Sequence, residues 1–232
     1  MNEGMAEDNP ARTAELAERL AAVQRRIEAA VEDSGRAGEP PTLIVVTKFH
    51  PAADIRRLAA LGVRDVGENR DQEASSKAAE LAGLGLNWHF VGQLQSKKAK
   101  SVARYAHALH SVDRLTLVDG LERAIAAEQE RTGRGALKCF IQVSLEDDAG
   151  AHRGGVAAVE VPLLAERLAA AAGLELAGVM AVAPLGASAE PAFEKLAAIS
   201  AGMSQDLEAA IRFGATHLRI GSDILGSRPD VG

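Results

Sequence analysis

Cysteine is almost missing from this chain: Cys139 stands alone, so no disulfide can form within it. Aromatic residues are scarce, 3% of the 232 positions against 47% hydrophobic overall. The core must therefore be filled mainly by Ala, Leu and Val, which favours helices packed on a sheet. No apolar run approaches the ~18 residues needed to cross a bilayer, and Met1 to Asp8 is acidic and polar rather than signal-like. Basic residues are outnumbered, 26 Lys and Arg against 32 Asp and Glu, and the net charge of -6 argues against general binding to nucleic acid or anionic membrane. Several motifs of fixed spacing are absent too: no G-x-G-x-x-G follows the first strand, and there is no Walker loop, G-x-S-x-G or H-E-x-x-H. The expectation is a cytoplasmic monomer, with residues 1–9 disordered and residues 10–232 forming one domain.

What is present is a regular alternation. Asn9 can cap a helix with Pro10 in its first position, and Leu16, Leu20, Val23, Ile27 and Val31 recur at spacings of three and four, so a long helix should run to near Gly35. From Leu43 onward, short apolar runs alternate with alanine-rich amphipathic segments, the pattern of parallel strands with crossover helices. Strands are predicted at Leu43 to Thr47, Arg64 to Gly67, Trp88 to Gly92, Ala108 to Val112, Lys138 to Ser144, Glu175 to Val182 and His217 to Gly221. Helices are predicted at Ala52 to Leu61, Gln72 to Leu81, Ala99 to Ala106, Arg114 to Arg131, Val159 to Ala172 and Asp206 to Phe213. An α/β fold of (β/α)8 TIM-barrel type, with an N-terminal capping helix, accounts for this order better than a doubly wound sheet does. An eighth strand is crowded. Between Leu185 and Met203 a helix at Glu190 to Ile199 leaves only about Ile199 to Ala201 for it, which predicts a shortened seventh unit.

In such folds ligands sit at the carboxyl ends of the strands. Lys48 closes the first apolar run, where lost solvation would ease deprotonation and make its amine a nucleophile for an aldehyde; the plainer alternative is a lysine reaching past the strand end to water. The second strand delivers Gly67-Glu68-Asn69, the third His89 and then Gly92-Gln93, the fourth Ser111 and Asp113, and the sixth Met180. Two turns late in the chain, Ala201-Gly202-Met203-Ser204 and Gly221-Ser222, each precede a helix and place a hydroxyl beside unpaired backbone N–H groups. Side by side they would hold a phosphate dianion; taken singly, Ser204 and Ser222 read as ordinary helix caps. Arg219 alternates with Leu218 and Ile220, so it faces the barrel interior if those two pack on helices. Buried there, its guanidinium needs an acceptor, either an internal carboxylate or a ligand atom such as a pyridine nitrogen. His107 and His110 read as surface or core histidines rather than metal ligands, Glu146-Asp147-Asp148 as a solvated loop, and Lys97, Lys98, Lys100 and Arg104 as a solvated helix face.

Taken in order, V-T-K (46–48), G-E-N (67–69), W-H-F-V-G-Q-L-Q-S (88–96), H-S-V-D-R (110–114), G-V-M-A-V (178–182), G-M-S-Q-D-L-E-A-A-I (202–211) and R-I-G-S-D-I-L-G (219–226) resemble the pyridoxal phosphate homeostasis protein family. These are non-catalytic barrels that bind pyridoxal 5'-phosphate (PLP), similar in fold to the N-terminal domain of alanine racemase. The resemblance implies that Lys48 is the Schiff-base lysine, that Asn69 and His89 line the cofactor, and that Met180 touches its surroundings. It further implies that Ser204, Gly221 and Ser222 hold the phosphate and that Arg219 faces the pyridine nitrogen. An arginine there disfavours the pyridinium and makes the ring a poorer electron sink, in keeping with storage or delivery of PLP to PLP-dependent apo-enzymes.

Departures from the family pattern are Ser222 for the usual threonine, Arg153 for a frequent lysine, Lys97 for a frequent asparagine, and the short connection near Ile199-Ser200-Ala201. Two enzymatic readings compete with a PLP carrier. One is a PLP enzyme of racemase type, the other a sugar-phosphate barrel that uses Lys48 as aldolases do.

Overall fold

The computed structural model describes residues 9–36, 38–145, 154–182, 199–200 and 206–227. It opens with α1 (Pro10–Asp33), started by the Asn9 side chain, which accepts a hydrogen bond from the Arg12 N–H at 2.9 Å, with Pro10 just behind it. Its buried stripe is Leu16, Leu20, Val23, Ile27, Ala30 and Val31. The helix is released at Gly35, whose φ of +69° is the left-handed conformation glycine adopts at no steric cost.

Eight parallel strands follow among the described residues: β1 (Thr42–Val46), β2 (Asp65–Glu68), β3 (Asn87–Phe90), β4 (Ala106–Val112), β5 (Leu137–Gln142), β6 (Leu174–Met180), β7 (Ile199–Ser200) and β8 (His217–Ile220). They hydrogen-bond in chain order, and β8 returns to β1 through Thr42↔His217 to Val45↔Ile220, closing a barrel. The crossover helices are α2 (Ala52–Ala60), α3 (Asp71–Glu80), α4 (Ala99–Tyr105), α5 (Leu115–Thr132), α6 (Val161–Ala169) and α7 (Leu207–Arg212), with a single turn, α8 (Ser222–Leu225), after β8. The architecture is thus α/β, a parallel barrel of TIM type.

Predicted elements and observed ones agree to within one or two residues for most strands and helices. The widest difference among the helices is α6, three residues shorter at its end than the predicted Val159 to Ala172, because the chain turns at Gly173 with φ +74°. The strand around 199–201 is present as the two residues of β7, paired to Val179 and Met180 of β6 and to His217 of β8. The helix predicted from Glu190 lies outside the described residues up to position 198, as do Glu146-Asp147-Asp148 and Ser204.

Apolar side chains on the outer faces of the strands meet the helices in two clusters. One joins Val45, Val66, Leu218 and Ile220 to α1, α2, α7 and α8. The other joins Leu109, Val112, Cys139 and Ile141 to α4, α5 and α6. Inside the barrel a smaller cluster, Ala108, Phe140 and Met180, shares the space with polar side chains. Polar pairs fasten α1 to its neighbours: Arg12 reaches Asp54 of α2 at 2.8 Å, and Arg26 reaches Glu208 at 2.9 Å and Asp223 at 3.0 Å.

Candidate cofactor site at the carboxyl ends of the strands

Three neighbouring strands, β8, β1 and β2, deliver most of the predicted set to one stretch of the barrel mouth. β1 ends at Val46, so Lys48 sits two residues past it in a turn, half-buried. Asn69 follows β2 directly, and Gly221-Ser222 follows β8 on the other side of β1. A Cβ on Gly221 would lie 3.1 Å from the Val46 carbonyl oxygen, a tight approach that keeps this turn against β1. Gly92 does the same for Asn69: a Cβ there would stand 2.2 Å from the Asn69 carbonyl oxygen, so only glycine lets the loop after β3 close over it.

Arg219 points inward, because Leu218 and Ile220 on either side of it join the outer cluster against α1. It is 8% exposed, and burial lowers its pKa from 12.5 to about 10, with Asp206 acting against the shift. Its Nε has no hydrogen-bond partner among the described residues. Neither do Asn69 Oδ1 and Ser111 Oγ, both fully buried atoms. Orphaned donors and acceptors of this kind are costly unless a ligand or water completes them. Met180 is 1% exposed and packs with Ala108 and Phe140 inside the ring.

His89, expected to line the cofactor, lies on β3. Its ring is buried in the interior with both nitrogens engaged by protein: Nδ1 lies 2.9 Å from His110 Nε2, and Nε2 lies 2.9 Å from Asp65 Oδ1 at the start of β2. It therefore belongs to a polar layer beneath the mouth. His110 stacks on Phe140 with ring centroids 4.4 Å apart, and His217 meets Phe140 edge-on at 5.0 Å. Burial, then the neighbouring His89, pushes the His110 pKa well below 6.5 and that of His217 to about 4. Asp65 stays below its usual range although burial opposes this, because His89 and Asn87 hydrogen-bond to it.

Ser222 occupies the first turn of α8 and is exposed; Gly221, not a serine, holds the cap position there, and Asp206 holds it for α7. The expectation that Ser222 caps its helix is corrected by this one-residue offset. A cleft of about 540 Å³ opens beside the mouth between the loops after β2 and β3, lined by Asn69, Arg70, Gln93 and Lys98 among others.

One group escaped the sequence reading. Lys77 of α3 is 8% exposed and its amine donates to Glu68 Oε1 at 2.7 Å, Glu73 Oε1 at 2.6 Å and the Thr47 carbonyl at 3.0 Å. Thr47 Oγ1 donates to the same Glu68 oxygen at 2.7 Å. Burial raises the Glu68 pKa, with Lys77 opposing. The available signal was helical spacing: Ala74, Lys77 and Leu81 fall on one face, and a lysine on a buried face needs acceptors.

Known proteins resemble this chain over most of its length. Residues 19–229 match the family described as alanine racemase, N-terminal domain. The chain is 41% identical over 248 residues to a pyridoxal phosphate homeostasis protein of Mycobacterium tuberculosis, covering 94% of this chain and 95% of that one. A pyridoxal phosphate homeostasis protein of Corynebacterium glutamicum is 42% identical over 223 residues, 89% of this chain and 99% of that one. Among solved structures, PipY of Synechococcus elongatus with PLP bound superposes with a TM-score of 0.76 at 33% identity, covering 91% of this chain and 100% of that chain.

Proposed function

The chain belongs to the alanine racemase N-terminal domain family and, within it, to the pyridoxal phosphate homeostasis proteins, and we propose that it holds PLP covalently on Lys48 as a carrier in vitamin B6 homeostasis. The observation that carries this reading is the convergence of Lys48, Asn69 and Gly221-Ser222 on adjacent strand ends, with buried atoms of Asn69 and Arg219 on the same strands that have no partner among the described residues. That donor set suits a planar heteroaromatic aldehyde with an anionic tail. Asn69 Oδ1 is an acceptor for a ring hydroxyl, Arg219 a donor for a ring nitrogen, and the Gly221-Ser222 turn a source of N–H and hydroxyl donors for phosphate. Bound there, PLP would supply an aldehyde carbon, and Lys48 would be the amine that holds it.

The protein's own residues argue for holding rather than turnover. A guanidinium facing the ring nitrogen disfavours its protonation, so electron withdrawal by the ring is weak. His89 contributes indirectly, by fixing the layer beneath the mouth, and Met180 by closing the interior wall. Ser204 completes the phosphate side in this proposal. The domain extends over residues 10–232, α1 serves as its cap, and the seventh unit is shortened. Among the described residues no helix is long and apolar enough to cross a membrane. The proposal extends to a cytoplasmic monomer that hands PLP to apo-enzymes.

Adding PLP to the purified protein tests the reading. A visible Schiff-base absorbance should appear in the parent and be lost in Lys48→Ala; an unchanged spectrum in that variant refutes it.

A further inference from the structure

Lys48 lies in a turn beyond the ladder of β1. The residues on either side of it are nonetheless held. On the amino-terminal side, the Thr47 carbonyl accepts from the Lys77 amine at 3.0 Å and from the His50 N–H at 3.1 Å, and its hydroxyl donates to Glu68. On the carboxyl-terminal side, the Phe49 N–H donates to Glu73 Oε1 at 2.7 Å, the same oxygen that Lys77 reaches. Phe49 has φ +69°, a left-handed conformation that a side chain of this size adopts only when its surroundings impose it. The Arg70 guanidinium lies 5.0 Å over the Phe49 ring, covering the turn from outside.

Lys77 spends all three of its N–H donors here, two on carboxylates and one on the turn. Every donor of that amine is thus taken by an acceptor of the protein itself. Buried ion groups of this kind are seldom a source of stability compared with apolar packing. Here the ion group instead bonds both residues that flank one lysine, Thr47 and Phe49, and the left-handed backbone falls on the second of them.

We propose that Lys77, Glu68 and Glu73 form a positioning clamp for Lys48: they fix the peptide before it and the amide after it, so that its four-carbon side chain is presented to the aldehyde of PLP from one direction. This inference rests on the reading of Lys48 as the Schiff-base residue. Its consequence is that capture of PLP depends on side chains of α3 that do not themselves bond the cofactor.

The test uses Glu73→Ala, Glu73→Gln and Lys77→Met, each compared with the parent. Because Lys77→Met leaves two carboxylates without their cation, the Glu73 pair carries the decision. Glutamine retains an oxygen for the Phe49 N–H, and alanine does not. The dissociation constant for PLP, from the Schiff-base absorbance, should rise about tenfold in Glu73→Ala and stay within about twofold of the parent in Glu73→Gln. Solvent exchange of the Phe49 amide without PLP should be at least tenfold faster in Glu73→Ala and unchanged in Glu73→Gln. Parent-like PLP affinity in Glu73→Ala overturns the clamp, and so does an equal loss in both variants, which would make charge rather than grip responsible. An unprotected Phe49 amide in the parent overturns the clamp while leaving Lys48 as the attachment point. A protected amide with no absorbance change on adding PLP overturns the reading of Lys48, and with it the purpose of the clamp.

Discussion

Replacing Arg219 by methionine should stabilise the cofactor-free protein while weakening its hold on PLP. The guanidinium is 92% buried, its Nε lacks a partner among the described residues, and its pKa falls from 12.5 to about 10. That fall corresponds to a burial cost of about 3 kcal/mol, at roughly 1.4 kcal/mol per tenfold change in proton affinity. The sign is that of a cation disfavoured by the fold: the cost is full at all pH values below about 10 and fades only as pH rises from there toward 12.5. At pH 7.5 methionine, similar in reach and apolar, removes the cost and keeps most of the packing. A gain of about 1–3 kcal/mol follows, in the range found when buried charges give way to apolar groups. In a domain of this size that is about 2–10 °C in thermal midpoint. With PLP the order should reverse. Saturating ligand at a hundredfold over its dissociation constant adds about 2.7 kcal/mol to the parent, and the variant gains less because the ring nitrogen loses its donor. The assay is thermal unfolding of both proteins with and without PLP. A lower midpoint for Arg219→Met without PLP would refute the argument that this arginine is held at a cost for a ligand.

Further outcomes follow from the histidine layer and from α1. His217 titrates near pH 4 in the fold against an ordinary 6.5, and His110 is displaced in the same direction. Their contribution to stability is full above pH 6.5 and is lost as pH falls through the window down to about 4. Urea midpoints at pH 7.5 and 4.5 should differ clearly for the parent and less for His217→Gln; equal differences would contradict this. Leu20→Ala, in the 3%-exposed stripe of α1, should cost about 3 kcal/mol. A loss under about 1 kcal/mol by denaturant unfolding would mean that α1 is not an integral part of the core. Asn9→Ala should cost about 1 kcal/mol through the lost cap to the Arg12 N–H, and Asn9→Asp should restore it.

Periodicity made the barrel legible because each element reads on its own: the three-and-four spacing of α1, the apolar runs of β1 to β6, and the alternation Leu218-Arg219-Ile220 that turns the arginine inward. Lys48 and Asn69 were accessible for the same reason, since a strand's end is visible in sequence and ligands gather there. The clamp was not. Lys77 meets Thr47 and Glu68 across thirty and nine residues of chain, contacts created only when α3 folds back on the β1 and β2 ends. His89 shows the converse limit. Its strand and inward face were legible, but the Asp65 and His110 partners that occupy both ring nitrogens depend on register between β2, β3 and β4. Ser222 falls one position inside its helix because the chain enters α8 from Gly221, which packs against the Val46 carbonyl.

Borohydride reduction of the PLP-treated protein, followed by peptide mass spectrometry, tests the central claim most directly, because reduction makes the Schiff base permanent and the adduct mass identifies both aldehyde and lysine. The account predicts a phosphopyridoxyl group on the peptide containing Lys48 and none on the peptide containing Lys77, whose three donors are already taken. Phosphopyridoxyl on Lys77 or on exposed Lys97 or Lys100, with Lys48 unmodified, would contradict it.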